Sequence, residues 1–226
     1  MTTQKSLARR HATQARSKTT VQSILNSAAL LIAEKGADVT MTEIAQRAGL
    51  VIGSLYQYFA DKSAIHKAIL IRHNADTRIM LHTYVSNVTK FDQFVKSVED
   101  AFQHYFSLHQ QDPLFNGIWS IVQTDAELQK IDVEDTLQNA RYLQTVCGPM
   151  LLQVDKEQVT ATCALVIQLA VSTARFARAV PPVLGQQMCD IFRKMIRDAL
   201  LTLAATKSDK HVHGARTRAR IRQRSS

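Results

Sequence analysis

The chain is poor in the residues that punctuate or staple a fold. Its 226 residues include seven glycines, four prolines and three cysteines. So few glycines and prolines count against a turn-rich β protein and favour long uninterrupted helices. Cys147, Cys163 and Cys189 are odd in number and scattered through helical patterns. They read as buried thiols of a reducing cytoplasm rather than as a disulfide framework or zinc site. No apolar run approaches the ~18 residues that a membrane span requires. Lys5, Arg9, Arg10 and Arg16 interrupt the N-terminus where a secretory signal would need an apolar core. Glycine-rich phosphate loops, a nucleophile elbow and a zinc-protease helix signature are all missing from the sequence. Asp132, Glu134 and Asp135 cluster, but Asp132 is best explained as a helix cap. His211 and His213 lie in a basic stretch without nearby ligand partners. We therefore expect no catalysis, no cofactor, no metal and no membrane contact.

What the chain has is a basic excess, +9 overall, placed at its two ends. Residues 1–18 hold Lys5, Arg9, Arg10, Arg16 and Lys18 with no acid, and residues 207–226 hold seven Lys/Arg against Asp209 alone. Everything between is slightly acidic. Such ends suit phosphate contacts and counterion release on DNA. Solvated arms that only aid solubility are the alternative.

Apolar residues recur at helical spacing along nearly the whole length, and no strand-like alternation competes. The expected class is all-α. A first helix is expected after Thr20, with Val21, Ile24, Leu25, Ala28, Ala29 and Ile32 on one face and Gly36 past its end. Asp61 is placed to cap a long helix beginning at Lys62 and running towards Val88. Phe91 to Phe106 carry another, and Asp112-Pro113 is a start signal for the next. Asp125 and Asp132 are expected to cap two further segments, the second broken at Gly148-Pro149. Asp155 opens a helix that ends before Pro181-Pro182, and the last helix places Leu184, Met188, Ile191, Met195, Leu200 and Leu203 on one stripe. Two long apolar-faced helices can close a core or form half of a four-helix seam between two chains.

The most informative stretch runs from Thr40 to Lys62. Thr40 and Glu43 have the spacing of a capping box, which sets where a helix begins. Ala45 is small where a second helix must cross closely, and Gly49 suits a left-handed turn. Ile44, Ala48, Leu50 and Leu55 supply the apolar contacts. This register is that of a helix-turn-helix, whose second helix reads DNA in the major groove. By chemistry, Lys62 suits a phosphate, and Tyr56 and Tyr58 can position the DNA backbone. Thr40 can donate to phosphate as well as cap. Base reading falls to Ile52, Gly53, Ser54 and Gln57, with Thr42 beside them; Gln57 suits adenine and Ile52 a thymine methyl. Tyr58 and Phe59 can also be read as packing residues of the small domain.

Over residues 19–70 the chain resembles the tetracycline-repressor (TetR) family of bacterial regulators. The likeness is carried by Ile24 to Gly36, Thr40, Ile44-Ala45, Ala48-Gly49, Gly53-Ser54-Leu55-Tyr56, Tyr58-Phe59 and Lys62. Beyond residue 70 it is one of architecture. The resemblance implies an N-terminal three-helix DNA-binding domain joined through a long fourth helix to a C-terminal helical ligand-binding and dimerisation domain. The corresponding division is a basic flexible arm at 1–18, the helix-turn-helix domain at 19–78, the effector and dimerisation domain at 79–206, and a basic flexible tail at 207–226. It further implies a homodimer through the last two helices, a palindromic double-stranded DNA operator, and release by a small molecule. A helix-turn-helix protein that binds DNA architecturally or as an adaptor, with no effector, is the other reading. One departure stands out: Val51 occupies a position where the family commonly has serine, removing a helix cap and a phosphate donor.

For the effector, the aromatics Phe102, Tyr105, Phe106, Phe115, Trp119, Tyr142 and Phe176 are the expected lining of a pocket between bundle helices. His104, Gln123, Asn139 and Arg175 are candidate polar anchors. Each ring taken alone can equally be plain core.

Overall fold

The computed structural model describes residues 2–151 and 154–205, so the basic tail expected at 207–226 lies outside the described residues. Among the described residues the chain is helical with no strand. The helices are α1 (Thr2–Lys35), α2 (Met41–Arg47), α3 (Ile52–Tyr56), α4 (Lys62–Val85), α5 (Phe91–Gln111), α6 (Pro113–Val122), α7 (Ala126–Cys147), α8 (Lys156–Arg178) and α9 (Pro182–Ala205). The chain divides into two compact units. One comprises residues up to Ala75 together with Asp112–Asp132; the other comprises Asp76–Gln111 and the chain from Val133 on.

In the first unit, Ile24, Leu25, Ala28, Leu31 and Ile32 of α1 are buried with Ile44 and Ala45 of α2, Leu55 of α3 and Ile65, Ile69 and Leu70 of α4. The unit takes in α6, a segment that the sequence placed in the effector domain. Gly117 explains why: a Cβ there would lie 2.7 Å from Ile32 Cγ2 and 2.9 Å from the Ile32 carbonyl oxygen. Only a residue without a side chain lets α6 approach α1 this closely. Phe115 and Trp119 of α6 then pack around His73, with ring centroids 6.2 and 6.5 Å from it.

In the second unit, α5, α8 and α9 share a core that includes Phe94, Val98, Phe102, Val159, Cys163, Cys189, Phe192 and Ile196. Two charged contacts fasten it. Arg197 of α9 grips Glu99 of α5 with two bonds of 2.6 and 2.7 Å, and Glu99 is only 2% exposed. Such bidentate geometry compensates a carboxylate for lost hydration. Arg178 Nη1, in the last turn of α8, donates to the carbonyls of His109 and Gln110 at 2.5 and 2.6 Å, completing the free C-terminal end of α5.

The structure corrects the sequence at several boundaries. α1 begins at Thr2, so residues 2–18, expected as a basic arm, continue the helix; neither glycine nor proline interrupts them. Thr20 does not start that helix. Its hydroxyl bonds back to the Arg16 carbonyl at 3.0 Å, as a helix-interior threonine does. Asp125 caps α7 through the Glu127 and Leu128 amides. Asp132 does not open a helix of its own, because α7 runs through it without a break. α8 also goes beyond the expectation that no segment suits a membrane. It is long and apolar enough by length and composition, with mean hydropathy 1.5 over an 18-residue window of which 22% is buried. Counting uninterrupted apolar residues missed it, because uncharged Thr160, Thr162, Gln168, Ser172 and Thr173 break up the run.

Candidate nucleic-acid interface and effector cleft

Residues 40–62 build their surface from short-range bonds. Thr40 Oγ1 accepts from the Glu43 amide at 3.3 Å, while the Thr40 amide and hydroxyl donate to Glu43 Oε2 at 2.9 and 2.8 Å. The expected box is therefore complete. Lys35 Nζ donates to Glu43 Oε1 at 2.5 Å. That bond, with the two from Thr40, holds the Glu43 carboxyl at a pKa of about 2. Arg47 is bonded to Glu34 at 2.7 Å, tying the end of α2 to α1. Gly49 turns the chain with φ +70°, where a side chain would strain the backbone, and the Leu50 amide closes the turn on the Ala45 carbonyl at 2.9 Å.

The turn delivers α3 with Leu55 buried inward and Ile52, Gly53, Tyr56 and Gln57 exposed. Thr42 and Tyr58 are exposed as well, while Ser54 and Lys62 are half-buried. Gln57 stands just past the last helical residue, as the C-cap of α3. Val51 is its N-cap, 73% exposed, and makes no side-chain cap bond. Two of the assigned phosphate contacts are qualified by geometry. The Thr40 hydroxyl proton is already given to Glu43. Asp61 Oδ1 accepts from the Ala64 amide at 2.8 Å, so at the start of α4 a phosphate would meet the Lys62 ammonium more readily than the helix amides. One turn on, His66 is buried and its Nε2 has no hydrogen-bond partner among the described residues. Burial first, then the Lys62 charge, push its pKa down, against the opposing pull of Asp125.

The aromatics expected to form one pocket are dispersed. Phe102 and Tyr105 line a cleft within the second unit, about 480 Å³ with the open solvent at its mouth included. Phe106 is buried but does not line it. Phe115 and Trp119 belong to the first unit. Tyr142 stacks on His82, centroids 3.5 Å apart. Phe176 is 58% exposed, and Arg175 beside it is not among the lining residues. His104 is exposed and bonded to the Tyr84 hydroxyl at 3.2 Å, and Gln123 is exposed in the first unit. The rest of the wall is mostly aliphatic: Thr77, Met80 and Leu81 from α4, Val98 and Ala101 from α5, Leu143 from α7, four residues of α8 from Val166 to Val171, and Ile196 from α9. No aromatic signal marks these positions. Their trace in the sequence is an apolar stripe on α8 at Val166, Ile167, Ala170 and Val171, which reads equally well as core. Among the described residues, no three His, Cys, Asp or Glu side chains gather as a metal site would need.

Comparison with known proteins agrees with this architecture. The family profile described as "Bacterial regulatory proteins, tetR family" matches residues 24–69, and "Tetracyclin repressor-like, C-terminal domain" matches 92–204. The Tn10 transposon TetC protein of Escherichia coli is 33% identical over 89 residues, 39% of this chain and 43% of that protein. The chain thus spans less than half the length of that curated relative. Among solved structures, SmeT, the repressor of the Stenotrophomonas maltophilia multidrug efflux pump SmeDEF, superposes with TM-score 0.62 at 19% identity, covering 80% of this chain and 88% of that one. A TetR-family regulator from Streptomyces coelicolor gives 0.61 at 17%, covering 81% and 99%. RolR in complex with the ligand resorcinol gives 0.56 at 15%, covering 83% and 95%. At these identities the structures establish a shared fold.

Proposed function

The chain belongs to the tetracycline-repressor family of bacterial transcriptional regulators, and from that premise we propose that it is a cytoplasmic, dimeric repressor released from a palindromic operator by a small molecule. The observation that carries the DNA part is the outward face of residues 42–58. In a motif whose inward side is fully packed, Ile52, Tyr56 and Tyr58 are left exposed next to Gly53 and Gln57. Large apolar and aromatic side chains left in water at a helix-turn-helix surface suit a groove that will cover them. Ile52, Gly53, Ser54 and Gln57, with Thr42 beside them, would read bases, and Tyr56, Tyr58 and Lys62 would position the backbone, with Thr40 mainly a cap.

Dimerisation rests on α8 and α9. Their inward residues close the core, yet Leu165, Leu169 and Phe176 of α8 and Leu184, Ile191 and Met195 of α9 stay exposed. So much unpaired apolar surface on two adjacent helices suits a four-helix seam with a second copy. It also accounts for the membrane-like composition of α8. Effector control rests on α4, which carries Lys62 at its start and three cleft residues near its other end. Ligand binding that displaces those residues acts on the helix that begins at the DNA contact, and it shifts the population towards a DNA-incompetent form.

Sedimentation of the full chain together with selection of bound fragments from genomic DNA tests this reading. An inverted repeat held by two chains is expected. Sequence-independent binding with a steep salt slope would point instead to an architectural protein.

A further inference from the structure

Beside the cleft, α4 and α7 share a polar cluster that is only half satisfied. Arg78 Nη2 pairs with Asp135 Oδ1, and Asn139 Nδ2 donates to Asp135 Oδ2 at 2.8 Å. Both partners thus grip one carboxylate. The His82 ring, one turn beyond Arg78, lies on Tyr142, one turn beyond Asn139. Three buried atoms of this group have no hydrogen-bond partner among the described residues: Arg78 Nε, a donor, Asn139 Oδ1, an acceptor, and His82 Nε2. Asn139 is only 4% exposed. A buried polar atom left without a partner is a standing penalty, and several in one place mark a spot where a ligand or water belongs.

The cluster adjoins the cleft by helix register. Leu143 lines the cleft and Asn139 stands one turn earlier on the same face of α7; Thr77 and Leu81 line it and Arg78 and His82 follow them on α4. Among the described residues no Asp, Glu, Lys, Arg or His lines the cleft, and the Arg78 charge is already matched by Asp135. A carboxylate or ammonium buried here would find no counter-charge. Accepting that a small molecule occupies this cleft, we propose that it is an uncharged hydroxyl compound. Its apolar body would lie against Phe102 and Tyr105, and its hydroxyl would sit between α4 and α7, donating to Asn139 Oδ1 and accepting from Arg78 Nε. Both atoms are closed off from solvent, so the hydroxyl reaches them only when α4 and α7 part. The ligand therefore prefers the parted arrangement, which is the differential affinity that a switch requires.

Calorimetry of the full-length chain with three matched probes tests this: para-propylphenol, propylbenzene and para-propylbenzoate. Propylphenol is expected to bind about tenfold more tightly than propylbenzene, the worth of one good hydrogen bond, and propylbenzoate to give no heat. Asn139→Leu should bring propylphenol down to the propylbenzene affinity while leaving propylbenzene unchanged. Arg78→Lys, which keeps a cation for Asp135 but removes Nε, reads the same preference should the first variant fail to fold. Equal affinity for propylphenol and propylbenzene, preference for propylbenzoate, or no binding of any probe overturns the assignment. Retention of the selected DNA by a chain that binds propylphenol with the expected preference would contradict the regulatory reading and leave the ligand class standing.

Discussion

Between Thr40 and Lys62 the chain assembles the surface proposed to face DNA from neighbours in sequence, whereas the cleft draws Thr77, Phe102, Leu143, Val166 and Ile196 from five separate helices. In the first region the decisive bonds join residues three to eight positions apart: Thr40 to Glu43, Lys35 to Glu43, and Leu50 to Ala45. In the second, partners lie dozens of residues apart, as with Glu99 and Arg197 or His109 and Arg178. A surface made locally has its shape set by caps and turns. A cleft made from distant helices has its shape set by packing. The two regions should accordingly fail in different ways.

The largest effect is expected in the packed region. Phe102→Ala removes a buried ring that also meets Phe192 edge-on at 4.9 Å, and should cost about 3–5 kcal/mol in chemical unfolding. DNA affinity of the molecules that remain folded should be unchanged. Gly49→Val attacks the local region by forcing a β-branched residue to φ +70°, with an expected loss of about 1–3 kcal/mol. Here operator binding should fall with stability, and Gly49→Asn should recover most of both, since asparagine tolerates the left-handed region. A smaller and opposed pair follows at the caps. Thr40→Ala should destabilise by about 1 kcal/mol, and Val51→Ser should stabilise by up to about 1 kcal/mol by supplying the side-chain bond that α3 lacks. Val51→Ser should also raise operator affinity and steepen its salt dependence. Unchanged affinity and slope would show that the valine does not weaken backbone anchoring.

The smallest effect is a titration. The Glu43 carboxyl is held at about 2, below its ordinary 4.5. A lowered carboxylate pKa means that its contribution to stability is complete above the unfolded value and is lost as pH falls from about 4.5 towards 2. By NMR, Lys35→Met should move the Glu43 midpoint upward towards the ordinary value, with the Thr40 bonds preserving part of the shift.

This contrast also explains which features are legible in the sequence. The all-helical class, the capping box at Thr40, the turn at Gly49 and the caps at Asp61, Asp125 and Asp155 were legible because each depends on a few adjacent residues. Asp132 misled because a cap signal does not reveal whether an earlier one, here Asp125, has already started the helix. The wall of the cleft was illegible for a different reason. Aromatic content says that Phe102 and Phe115 are buried, but not that Gly117 draws Phe115 and Trp119 against α1. The exposure of Phe176 follows from which side of α8 packs inward, and the apolar stripe on that helix is too broad to decide it. The proposed reading of DNA by α3 rests on chemistry alone: Gln57 and Ile52 have groups suited to bases, and both stand exposed.

The division of labour on α3 and α4 is the centre of this account, and competition binding across a set of operator variants, with Gln57→Ala and Lys62→Ala side by side, tests it most directly. Gln57→Ala is predicted to relax base preference at one position of each half-site. Lys62→Ala is predicted to weaken every sequence by a similar factor and to flatten the salt slope by about one charge. Uniform weakening by both substitutions, with base preference intact, would contradict it.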